Sequence, residues 1–171
     1  MRAATQKGCE EFVVYYQPKA DISEEGNYKT NGAEALVRWV KDGEMIPPGE
    51  FIPALEKSGL VSLIDYYVLE QVCVDINKWI SMGLKPVKVS SNFSRRHLHD
   101  AMFADKVEAI IKKHNVDPSL IEIEITESYE AEDMEALKRF EQRMHLLGVE
   151  LSVDDFGSGF SSIRMIKNIV S

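Results

Sequence analysis

At 171 residues the chain is long enough for one domain with its own core, or for a large part of a bigger one. Hydrophobic residues make up 44% and charged residues 28%, an ordinary globular balance that excludes a disordered chain. A net charge of −8 and a pI near 5.1 argue against a nucleic-acid surface, which needs clustered Lys and Arg, but an acidic protein can still bind a phosphate where metal ions or placed arginines reverse the local sign. The opening "MRAATQKGCEEF" has no apolar run, so no signal peptide is expected, and no apolar stretch approaches the roughly 20 residues of a membrane helix. The segment reads as soluble and cytoplasmic, without membrane contact of its own; a parent protein could still be tethered through another region. Cys9 and Cys73 lie far apart with no CxxC spacing, which suggests reduced thiols but leaves one disulfide open.

In chain order, strand-like runs fall at 11–22, 32–40, 85–94, 120–128 and 149–157. Helical periodicity fills most of the gaps. Ile64, Val68, Val72, Ile76 and Trp79 mark a helix over 62–82, stopped by Gly83. Phe103, Val107, Ile110 and Ile111 mark one over 101–114. Met134, Leu137, Phe140, Met144 and Leu147 mark a third over 132–147, closed by Gly148. "DPSL" at 117–120 is a turn that feeds the next strand. Strand, helix, strand at this spacing implies right-handed crossovers and a parallel sheet. The first two runs are joined by a short polar turn, so the first strand should run antiparallel.

Strands covered by helices on both sides would be apolar on both faces, and these are not. Parity places Ala35, Val37 and Trp39 opposite Glu34, Leu36 and Arg38. It sets Val87, Val89 and Phe93 against Lys88, Ser90, Asn92 and Ser94, and Ile121, Ile123 and Ile125 against Glu122, Glu124 and Thr126. Leu151 and Val153 likewise oppose Ser152 and Asp154. One reading is a sheet with one face in water. The other is a barrel with a polar interior top, in which Glu34, Asn92, Glu124 and Asp154 converge on one mouth, at the strand ends where (β/α)-barrels keep their active sites.

Carboxylates gathered so closely raise one another's pKa values or attract a cation. An all-oxygen set suits Mg²⁺, Mn²⁺ or Ca²⁺ better than zinc. Adjacent Asp154 and Asp155 at a strand end can serve two neighbouring ions, a device that hydrolyses phosphodiesters, and Arg38 is placed to meet a phosphate. The histidines offer no competing site. His97 and His99 are two apart, and His114 and His145 stand at helix ends, as surface histidines do. No GxSxG elbow is present, and Asp155-Phe156-Gly157 lacks the other kinase motifs.

Six ordered motifs now carry a resemblance: "YQP" (16–18), "EALVRW" (34–39), "PPGEFIPALEKSGL" (47–60), "SNFS" (91–94), "EIEITES" (122–128) and "DDFGSGFSS" (154–162). Together they resemble the EAL family of bacterial cyclic-di-GMP phosphodiesterases, over the N-terminal two-thirds of the domain. The resemblance implies a modified (β/α)₈ TIM-type barrel with an antiparallel first strand, here incomplete at about five of eight strands. It implies hydrolysis of cyclic di-GMP to linear pGpG with Mg²⁺ or Mn²⁺, two ions in the complete domain. The implied metal ligands are Glu34, Asn92, Glu124, Asp154 and Asp155. Arg38 would contact a substrate phosphate, Gln17 would lie near a guanine, and Glu127 would anchor the loop after "DDFG". That loop is associated with dimer communication, so a homodimer or other association is expected.

The usual Gly-Thr-Gly-Tyr reads Gly157-Ser158-Gly159-Phe160, and Ser91 stands where an apolar residue is common. The family's "KID" lysine and a further Glu ligand would lie beyond Ser171, so no catalytic base is assigned here. Five strands cannot close the barrel and would leave an open edge, which implies a shortened chain, a proteolysed product or half of a swapped assembly, inactive alone. Residues 1–10 resemble the linker after a GGDEF (diguanylate cyclase) domain, which would make Met1 internal to a longer gene, with 11–171 a partial EAL domain. The alternative function is a non-catalytic cyclic-di-GMP receptor or protein-interaction module. An unrelated Mg²⁺-dependent barrel lyase could share a carboxylate cluster, but not six ordered motifs.

Overall fold

The computed structural model describes residues 9–22, 28–125 and 133–153. Strands β1 (Phe12–Ile22) and β2 (Tyr28–Lys41) form an antiparallel pair in which Gln17 faces Glu34 and Lys19 faces Gly32. A short β3 (Glu44–Ile46) folds back on β2 through Asp42 and Gly43, both at positive φ (52° and 84°). Two such residues make the primed turn that matches strand twist, so "DG" closes a tight hairpin.

Helices α1 (Pro48–Ser58) and α2 (Val61–Ser81) follow, then β4 (Lys88–Phe93) and a 3₁₀ turn (Arg95–His99). Next come α3 (Phe103–His114), β5 (Ile121–Ile125), α4 (Asp133–Leu147) and β6 (Glu150–Val153). The sheet order is β1-β2-β4-β5-β6, with every pairing after the first parallel and β3 hanging from β2. This is a mixed α/β sheet wound as an incomplete barrel: five strands in the path, the first reversed. Gly83 and Gly148 lie at φ 76° and 86°, where a left-handed residue stops α2 and α4. Asp117 accepts from the backbone N–H of Ser119 at 3.0 Å and starts the 3₁₀ turn Pro118–Leu120 that delivers β5. The predicted ends of the fourth and fifth strand runs, residues 126–128 and 154–157, lie outside the described residues.

The helices pack on the apolar face that parity selects. Val89, Phe93, Ile121, Ile123 and Ile125 are fully buried there. Phe12, Trp39 and Phe51 form one aromatic cluster with ring centroids 5.8–6.0 Å apart. Phe103 of α3 stacks on Phe140 of α4 at 4.1 Å and 7°, locking the two helices together. Tyr16 reaches the same layer, donating to Asp75 at 2.6 Å while its ring meets Trp79 edge-on. Helix α1 was not among the predicted elements. Its two prolines mask a short amphipathic pattern, yet Pro48 sits at the first position, where a missing N–H costs nothing, and Phe51 and Leu55 bury one face. Cys9 and Cys73 are both buried free thiols; burial raises the Cys9 pKa and pushes that of Cys73 up to about 12. Among the described residues no helix is long and apolar enough to cross a membrane.

Candidate active site

The opposite face of the sheet carries the polar residues. Register places them side by side: Glu34 of β2 lies between Gln17 of β1 and Ser90 of β4, and Asn92 of β4 lies beside Glu124 of β5. The Asn92 amide donates to Glu34 Oε1 at 2.8 Å, which leaves the carboxamide oxygen for another partner. Lys19, from β1, sends its ammonium across the sheet to Glu124 and lies 3.5 Å from Glu122 Oε2. Three strand spacings separate β1 from β5, about 14 Å in a flat sheet, and strand side chains stand roughly perpendicular to it. Contact across that distance requires the sheet to curl with the polar face concave. A second pair, Lys88 of β4 with Glu150 of β6, spans β5 in the same way at the strands' N-terminal ends.

The field inside this concavity is acidic. Burial pushes the Glu124 carboxyl up; Lys19 opposes the shift, and Glu122 and Glu34 add to it. Burial alone would lower the Lys19 ammonium, but Glu124 and Glu122 hold it above the ordinary lysine range. The Ser90 and Ser152 hydroxyls are buried on this face, flanking Glu34, Glu122 and Glu124 in register, with no hydrogen-bond partner among the described residues. Orphaned hydroxyls beside carboxylates and a carboxamide make an all-oxygen donor set that suits Mg²⁺ or Mn²⁺. The residues fit a hard cation in kind. Among the described residues alone, however, no three of His, Cys, Asp or Glu gather closely enough to hold one. Asp154 and Asp155 follow directly after β6, and they, Glu127 and the loop 157–162 lie outside the described residues.

Farther along β2, half-buried Arg38 donates to the Val37 carbonyl at 2.9 Å. With Asn92, Ser94 and Glu56 it lines a cavity of about 220 Å³ between the ends of β2 and β4 and helices α1 and α2. The end of β4 is fixed from outside the sheet. Asp65 of α2 accepts from the Ser94 backbone N–H at 3.0 Å and meets His97 Nε2 at 2.9 Å. The other ring nitrogen, Nδ1, lies 3.2 Å from the Tyr66 hydroxyl, and Phe103 stacks on the imidazole at 4.7 Å. This buried network ties down the turn two residues after Asn92. Burial raises the Asp65 carboxyl, with His97 and the Ser94 N–H opposing the rise.

Of the predicted site residues described, Glu34, Asn92 and Glu124 come together, Gln17 stands in register with Glu34, and Arg38 shares a cavity wall with Asn92. The sequence reading missed Lys19 and the pairing role of Glu122, although both share parity with the site. It also missed the Asp65–His97 pair: His97 is only 2% exposed. A carboxylate inside the apolar stripe of α2 was its one available signal. His145 is exposed in the last turn of α4, whereas His114 is half-buried, 3.2 Å from Glu70.

The family model described as EAL domain matches residues 2–170. The bifunctional diguanylate cyclase/cyclic di-GMP phosphodiesterase MucR of Pseudomonas aeruginosa is 32% identical over 160 residues, covering 93% of this chain and 23% of that protein. The cyclic di-GMP phosphodiesterase PdeR of Escherichia coli K12 is 32% identical over 158 residues, 92% of this chain and 23% of its own length. The solved MucR phosphodiesterase in complex with cyclic di-GMP superposes with a TM-score of 0.81 at 32% identity, over 97% of this chain and 66% of that one. The chain thus spans under a quarter of these curated relatives and about two thirds of the solved domain. Motif order, strand register and near-complete model coverage agree: the chain belongs to the EAL domain family.

Proposed function

We propose that the complete domain hydrolyses cyclic di-GMP to linear pGpG with Mg²⁺ or Mn²⁺, at two ions held by Glu34, Asn92, Glu124, Asp154 and Asp155. The observation that carries this reading is the joining of Glu34 and Asn92 at 2.8 Å, with Glu124 in register, on the concave face of a curled sheet. The phosphodiesterase names of MucR and PdeR support the substrate.

Glu34, Asn92 and Glu124 stand on strands rather than loops, so their spacing is set before substrate arrives. Arg38 binds a phosphate of the ring, its planar donors matching two oxygens. Gln17, exposed at the rim, faces a guanine, and Glu127 anchors the loop that follows Asp155. A divalent cation at such a site lowers the pKa of water and neutralises charge on the phosphate. Water adds to one phosphorus, the ring's P–O bond opens, and the leaving oxygen takes a proton. No residue of this chain is assigned as the proton acceptor. Turnover belongs, in this reading, to the domain with its remaining strands, and the 171 residues alone are expected to have little. Residues 1–10 are read as a linker from a GGDEF partner domain, with association into dimers.

The test is chromatography of cyclic di-GMP incubated with the full-length protein. Linear pGpG should appear with Mn²⁺ or Mg²⁺ and vanish with chelator. Tight binding of cyclic di-GMP without any product would replace this reading with the receptor alternative.

A further inference from the structure

Lys19 stands out because it passes from β1 over β2 and β4 to reach acids on β5, a strand that is not its neighbour. We propose that Lys19 is a resident counter-ion for the metal-free site, neutralising Glu124 until a divalent cation arrives, with Glu122 as the carboxylate to which it then retreats. The inference rests on the metal reading above and deepens it.

Three observations support it. First, the ammonium lies against Glu124, an expected ligand, and within 3.5 Å of Glu122, which is not one. Glu122 sits two residues earlier on β5, one step deeper along the same face, in register with Ser90 rather than Asn92. Second, both acids are mostly shielded, their side chains 15% and 13% exposed, so without a cation they would repel at close range in a poorly solvated space. Third, Lys19 faces Gly32 across the β1–β2 pair, so its stem runs beside a residue with no side chain of its own; the closest approach at Gly32 is to the Lys88 carbonyl, where a Cβ would lie at 3.1 Å, and not to the lysine. A flexible four-carbon stem suits a cation that must move between two carboxylates.

A lysine that leaves Glu124 on metal binding opposes that binding. Removing it exchanges metal-free stability for metal affinity. A lysine that merely braces the fold would, when removed, weaken both.

The experiment titrates Mn²⁺ into the full-length, chelator-stripped protein by calorimetry, without nucleotide, and records the metal-free melting temperature. Lys19→Met should bind Mn²⁺ about five- to tenfold more tightly than wild type while melting several degrees lower without metal. Glu122→Gln should weaken Mn²⁺ binding severalfold, because Lys19 then has only Glu124 to hold. That penalty should shrink in the Lys19→Met/Glu122→Gln double variant. Unchanged or weaker binding by Lys19→Met overturns the inference. If Lys19→Met does not fold, unchanged or tighter binding by Glu122→Gln does the same, as do additive effects in the double variant. Absence of Mn²⁺ binding by wild type overturns the metal reading itself, and the inference with it.

Discussion

The two faces of one sheet divide the tasks of this molecule. On the convex face Val89, Phe93 and the three isoleucines of β5 are fully buried against helices, and almost every group finds a partner of its own kind. On the concave face, one residue away along the same strands, Asn92 holds Glu34, Lys19 holds Glu122 and Glu124, and orphaned hydroxyls flank them. Strand alternation makes the division possible: adjacent residues answer to different environments. The convex face sets stability, and the concave face keeps its polar groups incompletely matched, which is the ground for the proposed cation site.

Substitutions at neighbouring positions can break that comparison. The largest effect is expected on the concave face, where Glu124→Gln should cut metal-dependent turnover at least a thousandfold, about 4 kcal/mol of barrier, while moving the melting temperature little. Paired assay and thermal denaturation check this. Its chain neighbour gives the converse: Ile123→Ala, fully buried, should cost about 3 kcal/mol in denaturant unfolding. Asp65→Ala removes the acceptor shared by His97 and the Ser94 N–H and should cost about 2 kcal/mol. Because that network fixes the turn after Asn92, it should also weaken Mn²⁺ binding, visible by calorimetry.

Ser91 sharpens the contrast at the smallest scale. It lies on the apolar side, fully buried, and its hydroxyl has no partner among the described residues. Ser91→Ala should therefore stabilise the protein by up to about 1 kcal/mol, read as a raised denaturation midpoint.

The division of faces was legible in the sequence because alternation is local: each strand shows it without reference to the others. The same parity, applied strand by strand, put Glu34, Asn92 and Glu124 on one face, where Asn92 meets Glu34 and stands in register with Glu124. The β3 hairpin was also legible, in the Asp42-Gly43 pair, and was passed over. Lys19 was not, since its role depends on how far the sheet curls, a property of five strands together. His97 was hidden for a related reason. Its surroundings come from Phe93, Phe103 and Asp65 on three different elements, and nothing in its own neighbourhood marks it as buried.

The central claim is that the concave face is a metal site built on the strands themselves. The most direct test is the Mn²⁺ binding isotherm of Glu124→Gln beside wild type, in full-length protein stripped of metal and free of nucleotide. The account predicts saturable binding by wild type and its loss, or at least a hundredfold weakening, in the variant. Equal affinity in the two proteins would contradict it.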